Sequence, residues 1–225
     1  MLANILLQHR PYYPVVEFNR AQDRLLPMDF TANNKDLTQE ILDNTGLFSA
    51  YINHLLARHG CRYGIGGYAE HRTIYARSAH FNAPEEPRRL HLGIDIWGPA
   101  GTPVYAPLDG YVHSFRFNDH YGDYGPTIIL AHRLKGLTFH TLYGHLSLPD
   151  LEGLHENKAV KAGQLLAHFG QPHENGNWPP HLHFQVIENM QGYKGDYPGV
   201  CRYSERQQYL ANCPNPGLLL QLPAS

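Results

Sequence analysis

The sequence predicts a mainly β fold, α+β overall: a compact antiparallel β-sheet domain over residues 61–195, a small α/β elaboration over 1–60, and a tail over 196–225. Three observations carry this reading. From residue 64 onward, short β-prone runs alternate with Gly, Pro, Asn and Asp. No long amphipathic helix separates those runs, which excludes a βαβ arrangement. The one clear helical periodicity lies before them, and 225 residues suit a single domain with an elaboration.

Taken in order, 15–18 and 25–30 have strand-like character, and 36–42 predicts a brief helix. Over 45–59, Phe48, Tyr51, Ile52, Leu55 and Leu56 recur at three- and four-residue spacing, with Thr45 placed to cap the start and Gly60 the end. That stripe must be buried, and the back of the β domain is its expected seat. Asn33 and Asn34 fall in a polar loop, within reach of a groove if the segment were a lid. Strands are predicted at 102–106, 110–117, 126–132, 137–144, 164–169 and 182–187. A short helix is predicted over 204–211, in a tail otherwise rich in Pro, Asn and Gln.

Composition excludes several functions. With 18 Lys+Arg against 20 Asp+Glu and no like-charge block, a nucleic-acid surface is a poor reading. No apolar run approaches the roughly 18 residues that cross a bilayer, so no transmembrane segment is predicted. Residues 1–14 hold one short apolar run and no cleavage pattern of a signal peptide, so the cytoplasm is the expected location. Cys61, Cys201 and Cys213 are too scattered for a disulfide framework or a Cys-x-x-Cys zinc site. Free thiols are expected, with Cys201–Cys213 as the one candidate bridge.

Histidine is the exception, at 16 of 225 residues, and imidazole is the commonest metal-binding side chain near neutral pH. In His181-Leu182-His183-Phe184-Gln185 the polar and apolar residues alternate, so in a strand both histidines share a face, about 6–7 Å apart. One metal does not easily take both; one can ligate while the other stands beside substrate. His91-Leu92-Gly93-Ile94-Asp95 offers an imidazole and a carboxylate about 13 Å apart in a flat strand, so the chain must bend, most naturally at Gly93. A third block, Leu142-Tyr143-Gly144-His145-Leu146-Ser147, lies between them. Surface histidines, or a hydrogen-bonded His-Asp pair, are the bland alternatives for each fragment alone. His113, His132, His140 and His168 read as packed or hydrogen-bonded; His120 and His173 fall in loops that could line a groove.

With those blocks, 101–110 (Gly-Thr-Pro-Val-Tyr-Ala-Pro-Leu-Asp-Gly) and Val160-Lys161-Ala162-Gly163-Gln164, residues 64–190 resemble the lysostaphin/LytM family of zinc peptidases, which cut peptide cross-links in bacterial cell walls. The resemblance implies one zinc ion held by His91, Asp95 and His183, with His145 and His181 as the non-ligand active-site histidines. It implies a metalloendopeptidase acting on peptide, such as a peptidoglycan stem or cross-bridge. Three protein ligands leave a fourth zinc position for water, as in catalytic sites. The segment 170–180 departs from the family in being longer and rich in Pro and Trp, and it is expected to wall the groove. Arg72 and Tyr75 lie where the family has a loop beside its site, with a structural Glu70–Arg72 pair as the alternative. Two rival functions are an inactive LytM-like domain that binds and regulates a partner, and a biotinyl-carrier module, which lacks its lysine here.

Overall fold

The alternation read from residue 64 onward folds into one large sheet in the computed structural model of the chain, which describes residues 1–220. The strands are β1 (Leu25–Met28), β2 (Tyr63–Gly66), β3 (Leu90–His91), β4 (Ile94–Trp97), β5 (Pro103–Tyr105) and β6 (Gly110–Asn118), then β7 (Gly125–Leu134), β8 (Leu137–Gly144), β9 (Ala159–Val160), β10 (Leu165–His168), β11 (His181–Ile187) and β12 (Val200–Cys201). The helices are α1 (Leu2–Gln8), α2 (Gln39–Asp43), α3 (Thr45–His59), α4 (Arg206–Asn212) and α5 (Gly217–Leu220). Eight strands run in the order β1-β2-β4-β11-β8-β7-β6-β9. The pairing is antiparallel except between β1 and β2. Two ribbons, β5 with β10 and β3 with β12, complete the set.

The period of two along β11 gives the sheet two characters. Leu182, Phe184 and Val186 enter one core with Ile94, Ile96, Ile128, Leu130 and Tyr143, closed by Leu2 and Leu6 of α1 and Leu219 and Leu220 of α5. His181, His183 and Gln185 alternate with them and take the other face. Two apolar clusters meet there. One holds Phe30, Phe48, Ile52, Tyr75, Trp97 and Trp178; the other holds Leu92, Tyr124, Ile129, Leu142, Tyr197, Cys201 and Cys213. The buried polar residues thus sit in a seam between two hydrophobic walls.

Helix α3 differs from expectation in two respects. Its cap is Asn44, one residue before Thr45, whose side chain accepts from Leu47 N at 3.1 Å; Gly60 ends it in the left-handed region at φ 59°. Its buried face, Phe48, Ile52 and Leu56, does not seat on the back of the sheet. It packs on Trp97, which shares the face of β4 that carries Asp95. The aromatic stripe finds its densest apolar partners beside the site, where Phe30 and Phe48 lie 5.1 and 6.0 Å from the Trp97 ring. Residues 15–18 form no strand, although Val15 O accepts from Tyr105 N at 2.9 Å. All three cysteines are free, with Cys201 and Cys213 buried.

Candidate metal centre

Each predicted ligand is delivered by a different backbone constraint. β3 stops at His91 and β4 begins at Ile94, so the chain breaks at Leu92-Gly93 and brings His91 back towards Asp95. Gly93 is required by close approach: a Cβ there would lie 2.5 Å from Cε1 of His183. The β11–β4 register sets His183 opposite Asp95. The three donor atoms then form a nearly equilateral triangle: His91 Nε2 to His183 Nδ1 at 3.0 Å, His91 Nε2 to Asp95 Oδ1 at 3.2 Å, and His183 Nδ1 to Asp95 Oδ1 at 3.1 Å. A tetrahedral ion with bonds of about 2.0–2.1 Å sets its ligands about 3.3 Å apart.

Hydrogen bonds on the far side of each ring identify the tautomers. His91 Nδ1 lies 2.9 Å from Gly67 O, and a carbonyl can only accept, so Nδ1 carries the proton and Nε2 presents a lone pair. His183 Nε2 lies 2.9 Å from Gln185 Oε1, leaving its Nδ1 lone pair for the triangle. Two lone pairs and a carboxylate oxygen therefore converge with no hydrogen between them. That donor set, with each imidazole's other N–H tied to a carbonyl oxygen, fits a divalent cation. These are the described residues grouped closely enough to hold one, and all three are buried.

Asp95 is further constrained by Arg72, a fully buried residue that the sequence left open between substrate contact and structural pairing. Its Nη1 donates to Asp95 Oδ2 and its Nε to Glu70 Oε2, the latter at 2.6 Å. One carboxylate oxygen is thereby occupied and the other, Oδ1, faces the triangle. Burial pushes the Asp95 carboxyl up, but the Arg72 guanidinium paired with it outweighs this and holds it well below the usual carboxylate range. Burial, with Arg72 adding to it, lowers His91 to about 4. Tyr75 lines the cavity and takes a hydrogen bond from Arg72 Nη1 at 3.3 Å.

His145 and His181 stand beside the triad, their rings 4.1 Å apart, and the His145 ring lies 6.4 Å from that of His183. Each Nδ1 donates to a carbonyl, His145 to Asn175 O at 2.8 Å and His181 to Pro179 O at 2.7 Å, so both Nε2 atoms are unprotonated acceptors. Burial is the main cause holding both imidazoles neutral, His181 down to about 4 and His145 well below its ordinary value. Trp97 stacks on His181 at 3.9 Å and 16°. His145 adopts φ 63°, a conformation costing a non-glycine residue about 1–3 kcal/mol. Bonds from its N to Tyr124 O (2.7 Å) and from Gly170 N to its O (2.9 Å) hold it there.

A cavity of about 220 Å³ opens over the triad, lined by Asp95, His145, His181 and His183 together with Tyr75, Phe81, Tyr124 and Trp178. Trp178 is the contribution of the unusual segment 170–180 to this wall. His120 and His173 are exposed and absent from the lining. His132 is buried against Asp109 O and Thr141 Oγ1, His168 pairs with Asp150, and His113 packs edge-on against His140. Sequence reasoning missed Gln185, Tyr124, Asn175 and the Arg72–Asp95 pair. Only Gln185, third in the polar alternation of β11, carried a signal that could have found it.

An antiparallel sheet presenting two imidazoles and one carboxylate at ligand spacing, with two neutral imidazoles alongside, has the make-up of a metallohydrolase domain. Residues 89–194, a little under half of the chain, match the model of Peptidase family M23. The DD-carboxypeptidase/endopeptidase Mpg of Neisseria meningitidis serogroup B is 33% identical over 132 residues, covering 56% of this chain and 28% of that protein. The peptidoglycan DD-endopeptidase ShyA of Vibrio cholerae is 33% identical over 115 residues, covering 45% and 23% respectively. The chain thus spans well under a third of the length of these relatives. The catalytic domain of the antimicrobial peptidase lysostaphin from Staphylococcus simulans aligns over 73% of this chain and 98% of that one, at 23% identity and a TM-score of 0.43.

Proposed function

We propose that this chain is a zinc-dependent metalloendopeptidase, with His91, Asp95 and His183 holding a single ion and His145 and His181 handling protons, and that its substrates are peptides of the peptidoglycan type. The observation that carries the reading is the convergence of His91 Nε2, His183 Nδ1 and Asp95 Oδ1 at 3.0–3.2 Å, with both imidazole lone pairs directed inward. The match of residues 89–194 to Peptidase family M23 supports the reaction class, and the names of the Neisseria and Vibrio relatives suggest the substrate. When bound, zinc would supply Lewis acidity towards the scissile carbonyl and lower the pKa of water.

The chain's own residues do the rest. His145 Nε2 and His181 Nε2 are free bases at neutral pH, suited to take the proton of the attacking water and return it to the leaving amine. Once protonated, either ring donates to the developing oxyanion, since its Nδ1–H is already committed to a carbonyl. Tyr75, Phe81, Tyr124 and Trp178 exclude bulk water from the reacting groups.

The test is metal analysis of the purified chain followed by a screen against D-amino-acid-containing and Gly-rich peptides. About one equivalent of zinc is expected, lost in His91→Ala and Asp95→Ala. His145→Ala and His181→Ala should keep the metal and lose about a hundredfold or more in turnover. A chain with far less than one equivalent of zinc would instead be the metal-free regulatory domain. Near-normal rates in either of the latter variants would overturn the role given to that histidine.

A further inference from the structure

Gln185 is fully buried, two residues beyond His183 on the same face of β11. Its amide orientation follows from its neighbours. Nε2 lies 3.2 Å from Pro198 O and 3.3 Å from Cys213 Sγ, and the carbonyl can only accept, so the amide nitrogen belongs on that side. Oε1 is therefore turned to His183, where it accepts the Nε2 proton at 2.9 Å. The other oxygen near that nitrogen, Tyr124 OH, is at 3.4 Å and donates its own proton to Tyr197 O.

The two groups that hold the Gln185 amide lie beyond residue 194, where the family match ends. Tyr197 and Cys213 share a buried cluster with Leu92 and Ile187. Asn212 Nδ2 donates to Tyr197 OH at 2.7 Å and to Asn189 O at 2.8 Å, tying the end of α4 to the turn after β11. Burial pushes the Cys213 thiol up to about 12, so it stays a neutral acceptor. An unbroken chain of contacts therefore runs from the C-terminal segment through Gln185 to the imidazole whose Nδ1 faces the triad.

We propose that Gln185 is a positioning residue for His183, and that the segment after residue 194 sets the divalent-ion affinity of the triad through it. The proposal rests on the metal reading above. Its physical content is that an imidazole with one N–H committed to a buried acceptor offers its other nitrogen as a lone pair in a fixed direction. Without that acceptor the ring can hold its proton on Nδ1, facing the other donors, and binding must first displace it.

The experiment uses the full chain and zinc as the probe. Affinity is read by competition with a chromophoric chelator, and the His183 tautomer by long-range 15N–1H correlation in the metal-free protein. Gln185→Met keeps the length of the side chain and removes its polar atoms. It should weaken zinc about 10–100-fold and turn a single Nε2–H tautomer into a mixture. Gln185→Glu restores an acceptor for His183 and should recover the tautomer and most of the affinity, which a role in packing alone would not explain. Cys213→Ala removes one support of the amide and should cost less affinity than Gln185→Met.

Wild-type zinc affinity and an unchanged tautomer in Gln185→Met would overturn the proposal. If Gln185→Met does not fold, a Gln185→Glu protein without the Nε2–H tautomer would overturn it instead. Wild-type protein that binds no zinc would sink the metal reading and, with it, the affinity claim. The tautomer comparison would still decide whether Gln185 orients His183.

Discussion

Five of the histidines in this chain, His91, His132, His140, His145 and His181, are buried and held neutral, and their neutrality is a stability device as well as a chemical one. Burial lowers His91, His132, His140 and His181 to about 4 and His145 well below its ordinary value. The unfolded chain takes up these protons near pH 6.5, whereas the folded chain resists until about pH 4. Their contribution is therefore fully present above about pH 6.5 and is lost as the pH falls towards 4. The metal-free protein should show urea midpoints that drop steeply between pH 7 and 5. His132 contributes although it lies outside the site, bonded to Asp109 O and Thr141 Oγ1. Urea midpoints independent of pH over that range would contradict this.

At the scale of elements, the segment from Gly170 to His181 is the bracket for the two non-ligand histidines. Asn175 is its keystone: its Nδ2 donates to Gly170 O at 3.3 Å, its Oδ1 accepts from Trp178 N at 3.0 Å, and its own carbonyl takes the His145 proton. Gly176 and Gly125 allow this segment to lie against the 122–125 turn, since a Cβ at either would lie 1.9 or 2.4 Å from a backbone oxygen. Asn175→Ala leaves the Trp178 N–H buried without its acceptor, a cost of about 1–3 kcal/mol, and releases the carbonyl that orients His145. We expect turnover to fall about tenfold or more with zinc content unchanged, checked by kinetics beside metal analysis; unaltered turnover would show that the bracket holds without its side chain. Elements of this kind mark the limit of what the sequence discloses. The strands at 110–117, 126–132, 137–144 and 182–187 were legible because alternation reports burial on one face, and β6, β7, β8 and β11 follow. His91, Asp95 and His183 stood out because ligands must be particular side chains. Asn175 and Pro179 act on His145 and His181 through backbone carbonyls, which any residue supplies. Arg72 meets Asp95 across 23 positions, whereas Glu70 was visible two residues away. β3, β4 and β12 were obscured by their length of two to four residues, and α1 by the lack of a capping side chain.

For the whole molecule, the question is whether residues 1–60 are a lid or a wall. None of them lines the cavity over the triad, and Asn34 is engaged by Asp29 O at 2.7 Å and Tyr51 OH at 3.1 Å. Their contacts lead to the site from behind. Phe30 and Phe48 pack on Trp97, and Trp97 stacks on His181. Thr73 N donates to Phe30 O at 3.0 Å, steadying the loop that carries Arg72 and Tyr75. β1 covers the edge of the sheet by pairing in parallel along all four residues of β2. Removing the segment would expose β2 as an edge and uncover Trp97, Tyr75 and Trp178, while the burial of Phe30, Phe48, Ile52 and Leu56, worth about 1.5–3 kcal/mol each, would be lost. A chain truncated before residue 61 should therefore be insoluble, or should melt far below the full chain with poor zinc retention. A lid would behave in the opposite way: its removal would give a soluble, folded protein that cleaves peptide substrates much faster than the intact chain. Expression of the truncated chain, followed by thermal melting and peptide cleavage, separates the two, and the packing of Phe48 through Trp97 onto His181 favours the wall.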